Sequence, residues 1–316
     1  MRQITIASRG SKLALRQADI IKRALEKLHP DIEISIVKVT TKGDRDKSDF
    51  LYKSQLRGLF TSEVEKAVLD GRADLAVHSL KDLPTAETAG LVIAAIPQRL
   101  VVADALIASK QLRSLSDLPP NSTVGTSSLR RIAQLHHLRT DLKTVPLRGN
   151  VETRVSKVAS GSLEAVIVAC AGLYRLGLEE HISAVLDPEE FLTAPGQAAL
   201  AIQIRTDDAE LMQLVCQLDD KPTRIAVEAE RCVLAATHGG CSIPLGVYAR
   251  IEAGQILIDA MIADVDGGNF IRRSAASPVD QAKSCAEKLA EQLLNAGGRE
   301  ILDRIRADQN NSNDGN

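Results

Sequence analysis

The stretch QITIASRGSKLALRQADIIKRALEKLHPDIEISIVKVT (residues 3–40) decides the fold class of this chain. Residues 3–8 read as a short strand, residues 12–28 carry apolar side chains at helical spacing, and residues 32–40 alternate as a second strand. A strand, a helix and a strand in this order form one βαβ unit. The chain therefore begins as an α/β protein.

The same alternation continues over most of the chain. We predict a helix at about 59–70 and a strand at 73–78, and, past a crossing segment near 97–104, strands at 105–108, 122–125, 142–146 and 164–169 with helices at 128–138, 150–159 and 171–176. Residues 197–216 read as a strand and a helix that return to the first lobe. This order implies mostly parallel sheets covered on both faces.

The pattern changes from about residue 220, where a helix (222–236), three strands (near 245–252, 255–263 and 269–275) and a helical run (278–307) follow. We predict two doubly wound α/β lobes hinged by crossing strands around a cleft, as in solute-binding proteins, plus a small C-terminal α+β domain with a three-stranded antiparallel sheet. The predicted domains are 1–98 with 197–217, then 99–196, then 218–307, with a disordered tail at 308–316 and a mobile loop at 42–58.

Composition excludes several function classes. Apolar residues make up 44% of the 316 residues, but aromatic residues only 2% and Trp is absent, which argues against surfaces that stack bases or sugars. The net charge of −2 draws the protein to neither nucleic acid nor membranes. The N-terminus lacks an apolar targeting region, and no run of about 18 uncharged apolar residues occurs. We therefore expect a cytoplasmic protein.

The cysteines and histidines do not indicate a metal site. The five cysteines are widely spaced and form no Cys-x-x-Cys pair, so neither a disulfide framework nor a zinc site is suggested. The six histidines form no His-x-x-x-His pair. No metal is expected.

Arginine is concentrated in one part of the chain. Between Thr126 and Arg154 there are six basic and two acidic residues, a local charge of +4. Gly125-Thr126-Ser127-Ser128 joins a strand to a helix and leaves hydroxyls and N–H groups at a helix N-terminus, where anions bind. Arg130 and Arg131 follow in the first turn, although cations there are unfavourable for the helix itself. The segment indicates an anion site, and a solvated helix start with incidental arginines is the alternative.

Two further junctions repeat this arrangement. LRGNVETR (147–154) has Arg148 at a strand end and Arg154 one turn into the next helix, and ASRGS (7–11) carries Arg9. Guanidinium groups bind carboxylates through two hydrogen bonds, which suits a ligand with several carboxylates. Neither a Gly-x-x-x-x-Gly-Lys loop nor a Gly-x-Gly-x-x-Gly motif occurs, so nucleotide chemistry is disfavoured.

Asp82 follows a strand and precedes Leu83-Pro84, so its carboxylate is expected at the C-terminal edge of a sheet. Among arginines it would stay ionised, and it could exchange protons and stabilise a cation. The alternative is that Asp82 only caps the turn that follows.

Cys241 lies in THGGCSIPLG (237–246), where two glycines and a proline indicate an exposed turn. Such a thiol is available for covalent chemistry. The alternative is that it behaves as a small apolar residue, as most free cysteines do.

Four motifs together resemble the porphobilinogen deaminase family, namely VHSLKDLPT (77–85), GTSSLRR (125–131), LRGNVETR (147–154) and GGCSIPLG (239–246). The resemblance covers nearly the whole chain. It implies an enzyme that joins four porphobilinogen molecules head to tail with release of ammonia and hydrolyses the product to hydroxymethylbilane. It also implies a dipyrromethane cofactor, joined by a thioether to Cys241, and a monomer is expected.

The resemblance assigns site residues as well. Asp82 matches the catalytic aspartate, whose carboxylate would face the cation left when ammonia departs. The residues that match carboxylate-binding positions are Arg9, Ser11, Arg130, Arg131, Arg148, Arg154 and Arg175. Those that match positions contacting the cofactor or the growing chain are Ser79, Lys81, Asp82, Thr126, Ser127, Ser128, Arg130 and Arg131.

The chain departs from the family pattern at several points. The run LRGLFTS (56–62) has Ser62 where the family has a lysine, Ala103 replaces an arginine, and Ala198 stands where the family prefers glycine. A catalytically weakened relative that keeps the cofactor is therefore one alternative. A non-catalytic, two-lobed anion-binding protein is the other, although it would need a secretion signal and has no use for the Cys241 turn.

Overall fold

The computed structural model describes residues 2–41, 61–109, 112–237 and 243–311. The strands of these residues are β1 (Arg2–Arg9), β2 (Ile32–Val39), β3 (Leu75–Ser79), β4 (Leu91–Ala95), β5 (Asp104–Ala108), β6 (Thr123–Gly125), β7 (Lys143–Val145), β8 (Ala165–Ala169), β9 (Ala184–Val185), β10 (Leu200–Arg205), β11 (Leu245–Glu252), β12 (Gln255–Ala263) and β13 (Phe270–Pro278). The helices are α1 (Lys12–Leu28), α2 (Ser62–Leu69), α3 (Leu129–Leu138), α4 (Val151–Ala159), α5 (Cys170–Leu176), α6 (Ala209–Val215), α7 (Lys221–Ala236), α8 (Ala282–Leu293) and α9 (Arg299–Asn311).

The described residues form two compact units. Unit 1 takes its described residues from 1–48, 56–100 and 196–225, and unit 2 from 101–195 and 226–316. Each unit has a five-stranded sheet, ordered β2-β1-β3-β10-β4 in unit 1 and β7-β6-β8-β5-β9 in unit 2, and unit 2 adds the sheet β11-β12-β13. The α/β prediction is confirmed, whereas the division into three domains stays a prediction.

Both five-stranded sheets are mostly parallel with one reversed strand. In unit 1, β1 pairs parallel with β2 and β3, while β10 runs antiparallel to β3 and β4. In unit 2, β6 pairs parallel with β7 and β8, and β5 runs antiparallel to β8 and β9. Leu200 lies opposite Ser79, so the start of β10 adjoins the end of β3.

Helix α1 shows how the opening stretch folds. Ser11 caps its start, because its hydroxyl oxygen accepts a hydrogen bond from the Ala14 N–H at 3.2 Å. The buried face carries Gln17, Ala18, Ile21 and Leu25 at helical spacing. The His29 N–H closes the last turn on the Leu25 carbonyl, and Pro30 follows.

Some details differ from the sequence predictions. Strand β4 was not predicted, because a short, unbroken apolar run such as LVIAA has no period to read. The predicted helical run at 278–307 is two helices, separated by a π-helical segment, Leu294–Gly298, in which Gly297 has φ of 112°. Helix α9 continues to Asn311, so residues 308–311 are helical instead of belonging to the predicted tail.

In the described residues, no helix is long and apolar enough to cross a membrane.

Candidate active site

A pocket in unit 1 gathers four of the predicted site residues. It opens where β1 and β3 end, and its lining consists of Arg9, Ser11, Leu13, Ala14, Gln17, Thr61, Val64, Val77, His78, Ser79 and Asp82. Arg9 and Ser11 are far from Ser79 and Asp82 in sequence. They meet because parallel strands present their C-terminal ends at one edge of the sheet.

Asp82 is placed by a tight turn that directly follows β3. A 3₁₀ turn, Leu80–Asp82, is closed by the Leu83 N–H, which donates to the Leu80 carbonyl at 3.1 Å. The Asp82 side chain is exposed, and its carboxylate makes no hydrogen bond or ion pair with any described residue. Among the described residues, no hydrogen bond supports a role of Asp82 in capping the next turn.

The neighbouring polar groups in unit 1 have internal partners. The Ser79 hydroxyl exchanges hydrogen bonds with the Gln17 amide, at 2.9 Å from Gln17 Nε2 and 3.2 Å to Gln17 Oε1. The Lys81 ammonium donates to Gln197 Oε1 at 3.4 Å. Sequence reasoning missed Gln17, although a polar residue on the apolar face of α1 was a readable signal.

In unit 2, the hydroxyl residues Thr126–Ser128 connect the two predicted segments that carry arginines. Thr126 is buried, and its hydroxyl oxygen accepts a hydrogen bond from the Ser128 N–H at 3.3 Å. Ser127 Oγ donates to the Leu147 carbonyl at 3.0 Å and accepts from the Leu147 N–H at 2.9 Å. Ser128 precedes α3 without a side-chain cap. The start of α3 is thereby tied to the segment that carries Arg148.

Arg130 and Arg131 turn inward and share one carboxylate. Asp104 is fully buried; its Oδ2 lies 2.9 Å from Arg130 Nη2 and its Oδ1 lies 2.6 Å from Arg131 Nη2. Arg130 also donates to the Leu192 carbonyl, and burial lowers its pKa. Sequence reasoning predicted two arginines for one ligand and did not anticipate Asp104 as their partner.

The remaining predicted arginines differ in their surroundings. Arg148 is half-buried and makes no hydrogen bond or ion pair within the described part of the chain. Arg154 Nε donates to the Gly149 carbonyl at 2.9 Å. Arg175 is buried at the end of α5, where desolvation lowers its pKa to about 10, so it stays charged at neutral pH.

Several predicted features lie outside the described residues. These are Cys241 and the mobile loop predicted at 42–58.

Of the departures from the family pattern, Ala103 is buried in an apolar cluster beside Ala105 and Cys170, and Ala198 has φ of 70°, a conformation that favours glycine. Ser62 begins α2.

The two units define an α/β protein whose strand ends and helix starts carry arginines and hydroxyls, and the exposed Asp82 carboxylate lies just after β3. A family model described as "Porphobilinogen deaminase, dipyromethane cofactor binding domain" matches residues 4–213, and one described as "Porphobilinogen deaminase, C-terminal domain" matches residues 224–295. The chain belongs to the porphobilinogen deaminase family, and it is an enzyme of the transferase class.

Curated relatives match over nearly their full length. The chain is 46% identical to the porphobilinogen deaminase of Maridesulfovibrio salexigens, over 96% of this chain and 99% of that protein. It is 43% identical to that of Gloeobacter violaceus, over 96% of this chain and 94% of that protein. Among solved structures, the substrate binding domain of a molybdenum ABC transporter from Clostridium difficile aligns with a TM-score of 0.44 and 11% identity, covering 73% of this chain and 97% of that one.

Proposed function

We propose that the chain acts as a hydroxymethylbilane synthase. It joins four porphobilinogen molecules head to tail, releases one ammonia at each step, and hydrolyses the product to hydroxymethylbilane in tetrapyrrole synthesis. The observation that carries this proposal is the exposed Asp82 carboxylate, which lines one pocket together with Arg9 and has no partner among the described residues.

The pocket of unit 1 suits the chemistry of this substrate. Porphobilinogen carries two carboxylate arms, and a guanidinium such as that of Arg9 can bind one of them through two hydrogen bonds. Loss of ammonia from the aminomethyl arm leaves a positively charged carbon, which the negative charge of Asp82 stabilises. The same carboxylate can accept and return the protons of each condensation.

The residues of unit 2 fit a cofactor that bears carboxylates. Arg130 and Arg131 carry two positive charges against the single charge of Asp104, so the buried group keeps an excess of one positive charge. Arg130 Nε is buried and has no hydrogen-bond partner within the described residues. A carboxylate at this point would satisfy both the charge and the donor.

We propose that a dipyrromethane is joined through a thioether to Cys241 and supplies the covalent primer that each condensation extends. The Asp82 carboxylate would accept hydrogen bonds from the pyrrole N–H groups of the dipyrromethane. The neighbouring serine and threonine hydroxyls and the Lys81 ammonium would orient it. The residues proposed to hold its polar groups are Ser79, Lys81, Thr126, Ser127, Ser128, Arg130 and Arg131. For the carboxylates of the substrate and the growing chain, we propose Arg9, Ser11, Arg148, Arg154 and Arg175 beside Arg130 and Arg131.

The proposal is tested by bilane formation and ammonia release from porphobilinogen. Asp82→Asn keeps the size of the side chain but cannot exchange the proton, so kcat should fall by about 100-fold or more. Asp70→Asn is the matched control, because Asp70 is an exposed carboxylate of the same unit that pairs only with surface cations. An unchanged kcat in Asp82→Asn would remove Asp82 from the reaction.

We propose that the protein is a cytoplasmic monomer of 34.0 kDa, and light scattering can measure its mass in solution. A turnover near zero in the wild-type protein, with the cofactor attached, would favour the catalytically weakened relative that Ala103 and Ser62 suggest.

A further inference from the structure

The loop of residues 196–199 holds the turn that carries Asp82. The Leu80 N–H, at the first residue of that turn, donates to the Ala199 carbonyl at 3.0 Å. Gly196 approaches so closely that a Cβ on it would lie 3.0 Å from Leu80 Cγ. The loop therefore contacts the turn through the Ala199 carbonyl and through Gly196.

Gln197 extends this contact to Lys81. Its side chain is 1% exposed, and its Oε1 accepts the hydrogen bond from the Lys81 ammonium at 3.4 Å. The amide oxygen is a hydrogen-bond acceptor, so it directs one of the three N–H donors of the ammonium. One N–H group of Lys81, next to Asp82 in sequence, is thereby fixed.

Ala198 shows that the loop conformation is imposed by its surroundings. It has φ of 70° and is buried, and a residue with a Cβ adopts this conformation at a cost. Such a conformation persists where neighbouring contacts determine it. Here those contacts are the inward side chain of Gln197 on one side and the bonded carbonyl of Ala199 on the other.

We propose that Gln197 is a positioning residue for the condensation reaction, which acts by fixing the Lys81 ammonium beside the Asp82 turn. The inference rests on the proposed function, in which Asp82 exchanges the protons. A displacement of about 1 Å at a reacting group can cost on the order of 100-fold in rate. A buried group that holds the turn and its lysine together supplies the support that such precision requires.

The test compares two substitutions of Gln197 in the full-length protein with its cofactor attached. Gln197→Met keeps the side-chain length but removes the acceptor, so kcat should fall by about 10-fold or more while KM changes by less than about threefold. Gln197→Glu retains an oxygen acceptor at the same place and should restore kcat to within about threefold of wild type.

A matched control separates positioning from stability. Gln203 is another buried glutamine of unit 1; it lies in β10, and its Nε2 donates a hydrogen bond to Glu65 at 3.0 Å. Gln203→Met should lower the melting temperature and leave kcat unchanged. If Gln197→Met does not fold, Gln197→Asn replaces it in the test. The asparagine side chain is one methylene shorter, so its amide oxygen no longer reaches Lys81, and kcat should show the same loss.

Three outcomes are distinguishable. Wild-type kcat in Gln197→Met, or in Gln197→Asn if that variant is used, would overturn the inference and leave the proposed function intact. Equal losses in Gln197→Met, Gln197→Glu and Gln203→Met would overturn it as well, because they would indicate a structural role only. Wild-type protein that forms no bilane would instead contradict the proposed function.

Discussion

Arg131 donates two hydrogen bonds to the Asp104 carboxylate, from Nε to Oδ2 at 3.1 Å and from Nη2 to Oδ1 at 2.6 Å. Arg130 adds a third bond to the same carboxylate, at 2.9 Å. Asp104 is fully buried at the start of β5, so this one side chain orients both arginines that follow the Gly125–Ser128 junction. The pair is therefore preorganised by the chain itself before any ligand arrives.

Asp104→Asn should lower the free energy of unfolding by about 3–5 kcal/mol, because it leaves two buried guanidinium groups without their counter-charge. Urea unfolding measures the loss. Asp19→Asn, which removes the partner of the exposed Arg16 and Arg23, should cost less than about 1 kcal/mol. Equal losses in the two variants would contradict the structural role of Asp104.

Gly267→Ala should be more destabilising than Gly254→Ala, although both glycines have φ of 78°. A Cβ at Gly254 meets no atom within 4 Å, whereas one at Gly267 would lie 2.5 Å from the His137 backbone nitrogen at the end of α3. We expect a loss of about 1 kcal/mol at Gly254 from the backbone alone, and about 3 kcal/mol at Gly267. Thermal unfolding of the two variants isolates the steric part, and identical melting temperatures would show that this close approach is absent.

Ala198→Gly should stabilise the protein by about 0.5–1 kcal/mol, because glycine adopts a left-handed conformation without strain. Ala199→Gly is the matched control; its residue does not share the positive φ, so the change should destabilise by a similar amount. Urea midpoints that move in opposite directions support this account. A fall in both would show that residue 198 is not strained.

Cys170 should resist alkylation in the folded protein. Burial raises the pKa of its thiol to about 12, and the negative charge of Asp104 adds to the effect. At pH 8 the reactive thiolate is then roughly one part in ten thousand, and it becomes appreciable only as the pH approaches the raised pKa. Peptide mapping after brief iodoacetamide treatment should find label on the exposed Cys216 and none on Cys170. Equal labelling of the two would contradict the burial of Cys170.

Local patterns predicted most of the fold. Helix α1 begins and ends where its apolar spacing indicates, and β11 and β12 have the predicted bounds. The reversed direction of β10 could not be read, because strand polarity in a sheet depends on the path of the chain between strands.

The sequence could not predict which residues of the site form contacts over long distances along the chain. Asp104 lies 27 residues before Arg131, and no local pattern links a strand residue to a helix start at that distance. Gln197 lies 116 residues after Lys81, and it reaches the turn only because β10 pairs with β3. Strand-end chemistry, in contrast, is local, which is why Arg9 and Asp82 could be selected from the sequence pattern, whereas Ser79 was predicted from the family resemblance.

Intact mass before and after incubation with porphobilinogen tests the central claim most directly. We predict that the purified protein exceeds its sequence mass by one dipyrromethane, that further pyrrole units add on incubation, and that Cys241→Ser shows neither adduct nor activity while Cys216→Ser shows both. An unmodified wild-type protein that still forms bilane, or an adduct retained in Cys241→Ser, would contradict the account.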